Sequence, residues 1–126
     1  MPDYRKLNVW VKAKNLAVET YRAVAHSQVA RDFGLRDQML RASVSIASNI
    51  AEGYTRETPP DRAHFLNIAR ASCAELETQL CIAEEARLLP PTDSEKLRTS
   101  SEEISRMLYT LRSKILARSS ELGARS

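Results

Sequence analysis

The stretch Ser45-Ile46-Ala47-Ser48-Asn49-Ile50-Ala51-Glu52-Gly53 constrains this chain more than any other. Ile46 and Ile50 lie four apart and share one helical face, while Ala47 and Ala51 share another. Between them run Ser45, Ser48, Asn49 and Glu52, polar groups on a segment expected to be buried nearly all round. Side chains this small let two backbones approach closely, and buried polar groups then need partners. Gly53 reads as the left-handed residue that commonly ends a helix. A segment of this kind belongs at the centre of a helical assembly. It points to a fold and says little about an activity.

Helices account for the remainder. Trp10, Ala13, Ala17, Tyr21 and Val24 recur at three- and four-residue steps, with Leu16 widening the stripe, and give a first helix near residues 5–27. Residues 26–34 lose the period and read as a loop ending in Gly34. A second helix near 35–52 carries Leu35, Met39, Ala42, Ile46 and Ile50 on one face. Thr58, Pro59 and Asp61 form an N-terminal capping signal for a third, near 59–88. Thr92 and Glu95 repeat that spacing before a fourth, near 93–119, whose Leu97, Ser101, Ile104, Leu108, Leu111 and Ile115 follow a near-heptad seam. Residues 120–126 have nothing to bury and are expected to fray. Only 3 glycines and 5 prolines occur in 126 residues, which starves turns and strands. The expected fold is a single all-α domain, an antiparallel up-down-up-down four-helix bundle. The alternative is a helical hairpin that completes its core by dimerising.

The bulk chemistry excludes more than it proposes. Hydrophobic residues make up 43% and charged residues 28%, with a net charge of +3, a mild excess. No apolar run follows Arg5 and Lys6, and none approaches membrane-spanning length, so a cytoplasmic protein without a membrane segment is expected. Cys73 and Cys81 fall eight apart on one helix, roughly 12 Å along its axis, too far to bridge. Asp61-x-x-His64 resembles one step of a di-iron bundle, but such sites need that step on two helices, and the other histidine, His26, lies in a loop. Without a glycine-rich phosphate loop or a supported Ser–His or Cys–His pair, neither metal nor cofactor is expected.

Several stretches together resemble one family. They are Tyr4-Arg5-Lys6-Leu7, Val9-Trp10, Lys12-Ala13, Phe33-Gly34-Leu35, Gln38, Arg41-Ala42, residues 45–53, Phe65-Leu66, Ile68-Ala69, Ser72 and Glu75-Leu76-Glu77-Thr78-Gln79-Leu80. In these the chain resembles the four-helix-bundle proteins of intervening sequences in bacterial 23S ribosomal RNA genes. The likeness spans roughly the first three helices. It implies a bacterial cytoplasmic bundle that assembles as a ring-shaped homopentamer. Related bundle proteins serve diversity-generating retroelements, binding reverse transcriptase and nucleic acid, which implies those partners here. Ala47 stands where the family commonly has proline and Ala71 where it has glycine; alanine is the better helix former at both.

Two groups of side chains are candidates for a role. In an up-down-up-down bundle one end collects Arg5, Lys6, Arg56, Arg62, Arg112, Lys114 and Arg118 against Asp3, Glu52, Glu57 and Asp61. The opposite end and the back of the third helix collect Glu75, Glu77, Glu84, Glu85, Asp93 and Glu95. A basic end attracts phosphate backbones without reading sequence, so RNA or DNA is the expected ligand. The second group is a polar network: Gln38, Arg41, Ser45, Ser48 or Asn49, and Glu52 on the second helix, with Ser72, Glu75 and Gln79 on the third. Within it Arg41 is expected to reach Glu75. Glu52, in a last helical turn where an acid is unfavourable, should take Arg56 or Arg5 as partner. A non-catalytic nucleic-acid-binding or accessory assembly protein is the leading reading. The alternatives are a divalent-metal-dependent nuclease built on Glu52, Glu75 or Glu77, or an accessory partner of a reverse transcriptase.

Overall fold

The structure, a computed structural model, describes residues 3–125, with side chains through Ser120. Among these residues there are four α-helices and no strand. Helix α1 spans Asn8–Ala25, α2 Phe33–Tyr54, α3 Pro59–Glu85 and α4 Pro91–Arg125. Each packs against two neighbours, α1 and α3 both touching α2 and α4. Connections of a few residues make successive helices antiparallel, so the up-down-up-down bundle holds.

Boundaries moved wherever a cap overrode the apolar period. Tyr4–Lys6 forms a separate 3₁₀ turn because the Asp3 carboxylate accepts from the Arg5 backbone N–H, and Leu7 is extended. α1 therefore begins at Asn8 rather than near residue 5. The segment expected as a loop holds a second 3₁₀ turn, Gln28–Arg31, started by the Ser27 hydroxyl and anchored by fully buried Val29. Asp32 then caps α2 by accepting from the Leu35 N–H at 3.1 Å, which places Gly34 inside the first turn. The Thr58 hydroxyl caps α3 with Pro59 in its first turn, as the sequence signalled.

α3 stops at Glu85, three residues short of expectation. Arg87 is left-handed, with φ 62°. The Leu88 N–H bonds to the Ala83 carbonyl at 2.9 Å and the Arg87 N–H to that of Glu84 at 3.0 Å, closing a Schellman motif on a non-glycine residue. α4 starts at Pro91, so Thr92 lies within its first turn instead of capping it. It also continues to Arg125, where fraying was expected. No proline follows Pro91, and a lone Gly123 costs about 1 kcal/mol, too little to stop a helix already 32 residues long, Pro91 to Leu122. Ser126 lies outside the described residues.

The core is continuous through Leu16 of α1, Met39, Ile46 and Ile50 of α2, Leu76 and Leu80 of α3, and Ile104 and Leu108 of α4. The inward stripe of α1 differs from the one its apolar residues suggested. To the expected Ala13, Leu16, Ala17 and Val24 it adds Val9 and Thr20, leaving Trp10 half-buried and Tyr21 50% exposed. Thr20 can occupy the core because its hydroxyl donates to the Leu16 carbonyl at 2.7 Å.

α2 is not buried all round within one chain. Ala42, Ser43, Ile46, Ile50 and Gly53 are buried, whereas Arg41, Val44, Ser48 and Glu52 face solvent. Nor is Gly53 left-handed, since no glycine has positive φ among the described residues. Its requirement is space. A Cβ there would lie 2.9 Å from the Cβ of Phe65 and 3.2 Å from the carbonyl oxygen of Arg62. Gly53→Ala should therefore cost about 1–3 kcal/mol through overpacking. Gly34→Ala, with only an Asp32 oxygen 3.8 Å away, should be neutral or stabilise by up to about 1 kcal/mol. Urea denaturation of both variants checks this, and equal stabilities would mean the corner is not tight.

Cys73 is buried and Cys81 exposed. Burial pushes the Cys73 thiol up to about 11 from its usual 9.0. Between those values the unfolded chain releases this proton and the folded one keeps it, so stability is retained below pH 9 and declines toward pH 11. Native alkylation at pH 8 should modify one thiol and denatured alkylation two; modification of both under native conditions would contradict the burial.

Candidate functional site

The α2–α3 corner is built on the close approach at Gly53. Glu52 accepts from Arg56 at 2.6 Å, the first of the two partners the sequence allowed. The Arg56 guanidinium lies over the Phe65 ring, 4.5 Å from its centroid, and Arg62 Nε donates to the Arg56 carbonyl at 2.7 Å. Gly53 admits Phe65, Phe65 carries Arg56, and Arg56 answers Glu52. Two of the seven candidate cations are thus fixed by structural contacts.

The other five divide by circumstance. Arg5 pairs with Asp3 at 2.9 Å on the exposed 3₁₀ turn, and that hydrogen bond holds the Asp3 carboxyl below the usual range. Lys6 is exposed beside it. Lys114 lines a groove of about 410 Å³ with Leu7, Asn8 and Val9, so the end of α4 is brought against the start of α1. Among the described residues no carboxylate lies within ion-pair distance of Lys6, Arg62, Arg112, Lys114 or Arg118. The charge asymmetry is weaker than the sequence suggested, because Arg31 and Arg87 share a depression with Glu84 and Glu85 at the opposite end. There Arg98 pairs with Glu84 at 3.1 Å. Among the described residues Arg31 and Arg87 at that opposite end also meet no carboxylate, so what marks the first end is how many cations gather there.

The polar network is smaller than expected. Ser45 Oγ and Ser72 Oγ lie 2.8 Å apart, bridging α2 and α3, and Asn49 Nδ2 donates to both the hydroxyl and the carbonyl of Ser45. Glu52 belongs to the corner instead. Gln79 leaves Oε1 buried without a partner, and Gln38 is exposed. Arg41 and Glu75 are both exposed and do not pair, which corrects the expected bridge. Each leans to solvent from its own helix, where water solvates the charges at no ordering cost. Arg41→Met and Glu75→Leu should each shift stability by less than about 0.5 kcal/mol and add without coupling. A double-mutant cycle in urea checks it; coupling above about 1 kcal/mol would restore the pair.

Glu52, Glu75 and Glu77 do not converge. Glu52 is bound to Arg56, Glu75 is exposed, and Glu77 accepts from the Ser101 hydroxyl at 2.7 Å. Among the described residues no three His, Cys, Asp or Glu side chains gather as metal ligands. His64 is exposed and meets the Phe65 ring edge-on.

Three features escaped the sequence reading. Arg106 shares the α1–α4 groove with Lys114, a position marked by their eight-residue spacing on one helical face. The Arg70 guanidinium lies over the Tyr109 ring at 5.0 Å, joining α3 to α4, which no spacing within one helix could reveal. Trp10, Val18 and Tyr21 of α1 form an open groove of about 620 Å³ with Val44, Ala47 and Ala51 of α2. These are the small residues of the sequence motif, exposed on their second side.

The family model described as 23S rRNA-intervening sequence protein matches residues 5–110. A crystal structure of a protein of unknown function from the S23 ribosomal protein family of Bacteroides thetaiotaomicron VPI-5482 superimposes with a TM-score of 0.76. It is 25% identical over 82% of this chain and 97% of that one. Comparison with curated proteins gave no match. No helix among the described residues is long and apolar enough to cross a membrane.

Proposed function

The chain belongs to the 23S rRNA-intervening sequence protein family, and from that premise we propose that it is a non-catalytic, self-assembling bundle of the cytoplasm that binds nucleic acid through the α1-start and α4 end. The observation that carries this reading is the gathering there of Lys6, Arg62, Arg112, Lys114 and Arg118, none of which meets a carboxylate among the described residues, with Arg62 giving its Nε to the Arg56 carbonyl. Guanidinium and ammonium groups without an internal partner are free to meet external anions, and a phosphate backbone presents them in series. The scattered carboxylates Glu52, Glu75 and Glu77 supply no shared cation site, which favours binding over hydrolysis.

Self-assembly is supported by the α1–α2 groove. Val18, Tyr21 and Val44 are each more than 40% exposed around it, and small Ala47 and Ala51 leave room for a second copy. A ring, with the pentamer that the family resemblance implies, would bring the cationic ends of several protomers onto one rim. The rim is also the surface that an accessory role beside a reverse transcriptase would use.

Light scattering should return an oligomer at micromolar concentration, and Ala47→Trp, which fills the groove, should shift it toward monomer. A monomeric wild type sinks the assembly half of the proposal. Replacing Arg112, Lys114 and Arg118 by glutamine should weaken binding of a labelled RNA at least tenfold while leaving the helical circular dichroism unchanged. Binding left intact by the triple change would move the contact elsewhere.

A further inference from the structure

Tyr109 projects from α4 with 54% of its surface exposed while in contact with a guanidinium. Arg70 of α3 covers it at 5.0 Å, and Arg112 follows one turn further along α4. Among the described residues neither arginine meets a carboxylate, and the Nε of each is buried without a hydrogen-bond partner, which leaves the outer guanidinium nitrogens as the groups to meet a ligand. The same α3–α4 seam is neutralised higher up, where Glu84 takes Arg98 and Glu77 takes the Ser101 hydroxyl. The seam therefore passes from a satisfied half to a half that offers two cations and an aromatic ring.

We infer that Arg70, Tyr109 and Arg112 form a stacking site for one base of a single-stranded nucleic acid. The inference rests on the nucleic-acid reading above and narrows its ligand class. Arg70 holds the ring from one side, fixing its orientation, and the exposed remainder offers a π surface for a base. Arg70 at the ring and Arg112 one turn along α4 meet the phosphates that flank that base. Aromatic stacking accepts any base because every base has a π face, and it requires a base that is not already stacked in a duplex. Charge alone would favour a duplex, with its denser phosphates, so preference for single strands is the distinguishing property.

The test titrates full-length protein against fluorescein-labelled 12-nucleotide single strands of RNA and DNA and against a hairpin duplex, following anisotropy at fixed salt. Wild type should prefer both single strands. Tyr109→Ala should lose about tenfold on the single strands and little on the hairpin, while Tyr109→Phe should retain wild-type affinity. Arg70→Gln should fall with Tyr109→Ala on single strands. Single-strand binding unchanged by Tyr109→Ala, or a wild-type preference for the hairpin, overturns this site and leaves the broader reading standing. No binding of any probe by wild type removes both.

Discussion

The close approach of α2 to α3 at Gly53 is the constraint on which the other features depend. With no Cβ at that position, the Phe65 side chain reaches the α2 backbone, and the two helices leave their corner nearly in contact. Twelve angstroms or so up the pair, Ser45 and Ser72 keep the spacing small by exchanging a hydrogen bond at 2.8 Å. Larger side chains at either place would push α3 away and loosen the core that Leu76 and Leu80 share with Met39 and Ile46. The same corner sets the charged surface. Phe65, seated by Gly53, is the platform for Arg56, whose carbonyl in turn holds Arg62.

Helix number, order and class could be read from the sequence because apolar residues recur at three- and four-residue steps along each helix, most regularly in α1. Ends and orientations were harder. Asp3 and Asp32 act through single hydrogen bonds that compete with periodicity, so α1 starts later and α2 two residues earlier than expected, with the loop between them otherwise in place. Thr20 shows why the α1 stripe was rotated, since a threonine satisfied by its own helix is as good a core residue as a tyrosine is a bad one. Gly53 was noticed for the wrong reason. Its backbone is ordinary, and the need for glycine comes from Phe65, twelve positions on, which a single-helix reading does not see.

The candidate site follows the same division. The Glu52–Arg56 pair was readable from helix-end electrostatics. The Arg41–Glu75 bridge was not realised because levels along two helices do not fix which way each side chain leans. Arg70 and Tyr109 meet across a seam whose register comes from the whole core. The division between paired and unpaired cations is likewise a property of the folded chain.

That division is the centre of the functional account, because charges paired within the protein cannot release counterions from a polynucleotide while unpaired ones can. The direct measurement is the dependence of single-stranded RNA affinity on salt concentration for the wild-type protein. With about five cations engaged, the logarithm of the affinity should fall against that of the salt with a slope of about −3 or steeper. A slope near zero, at any affinity, would mean that these cations hold no phosphates and that the charged end serves the protein alone.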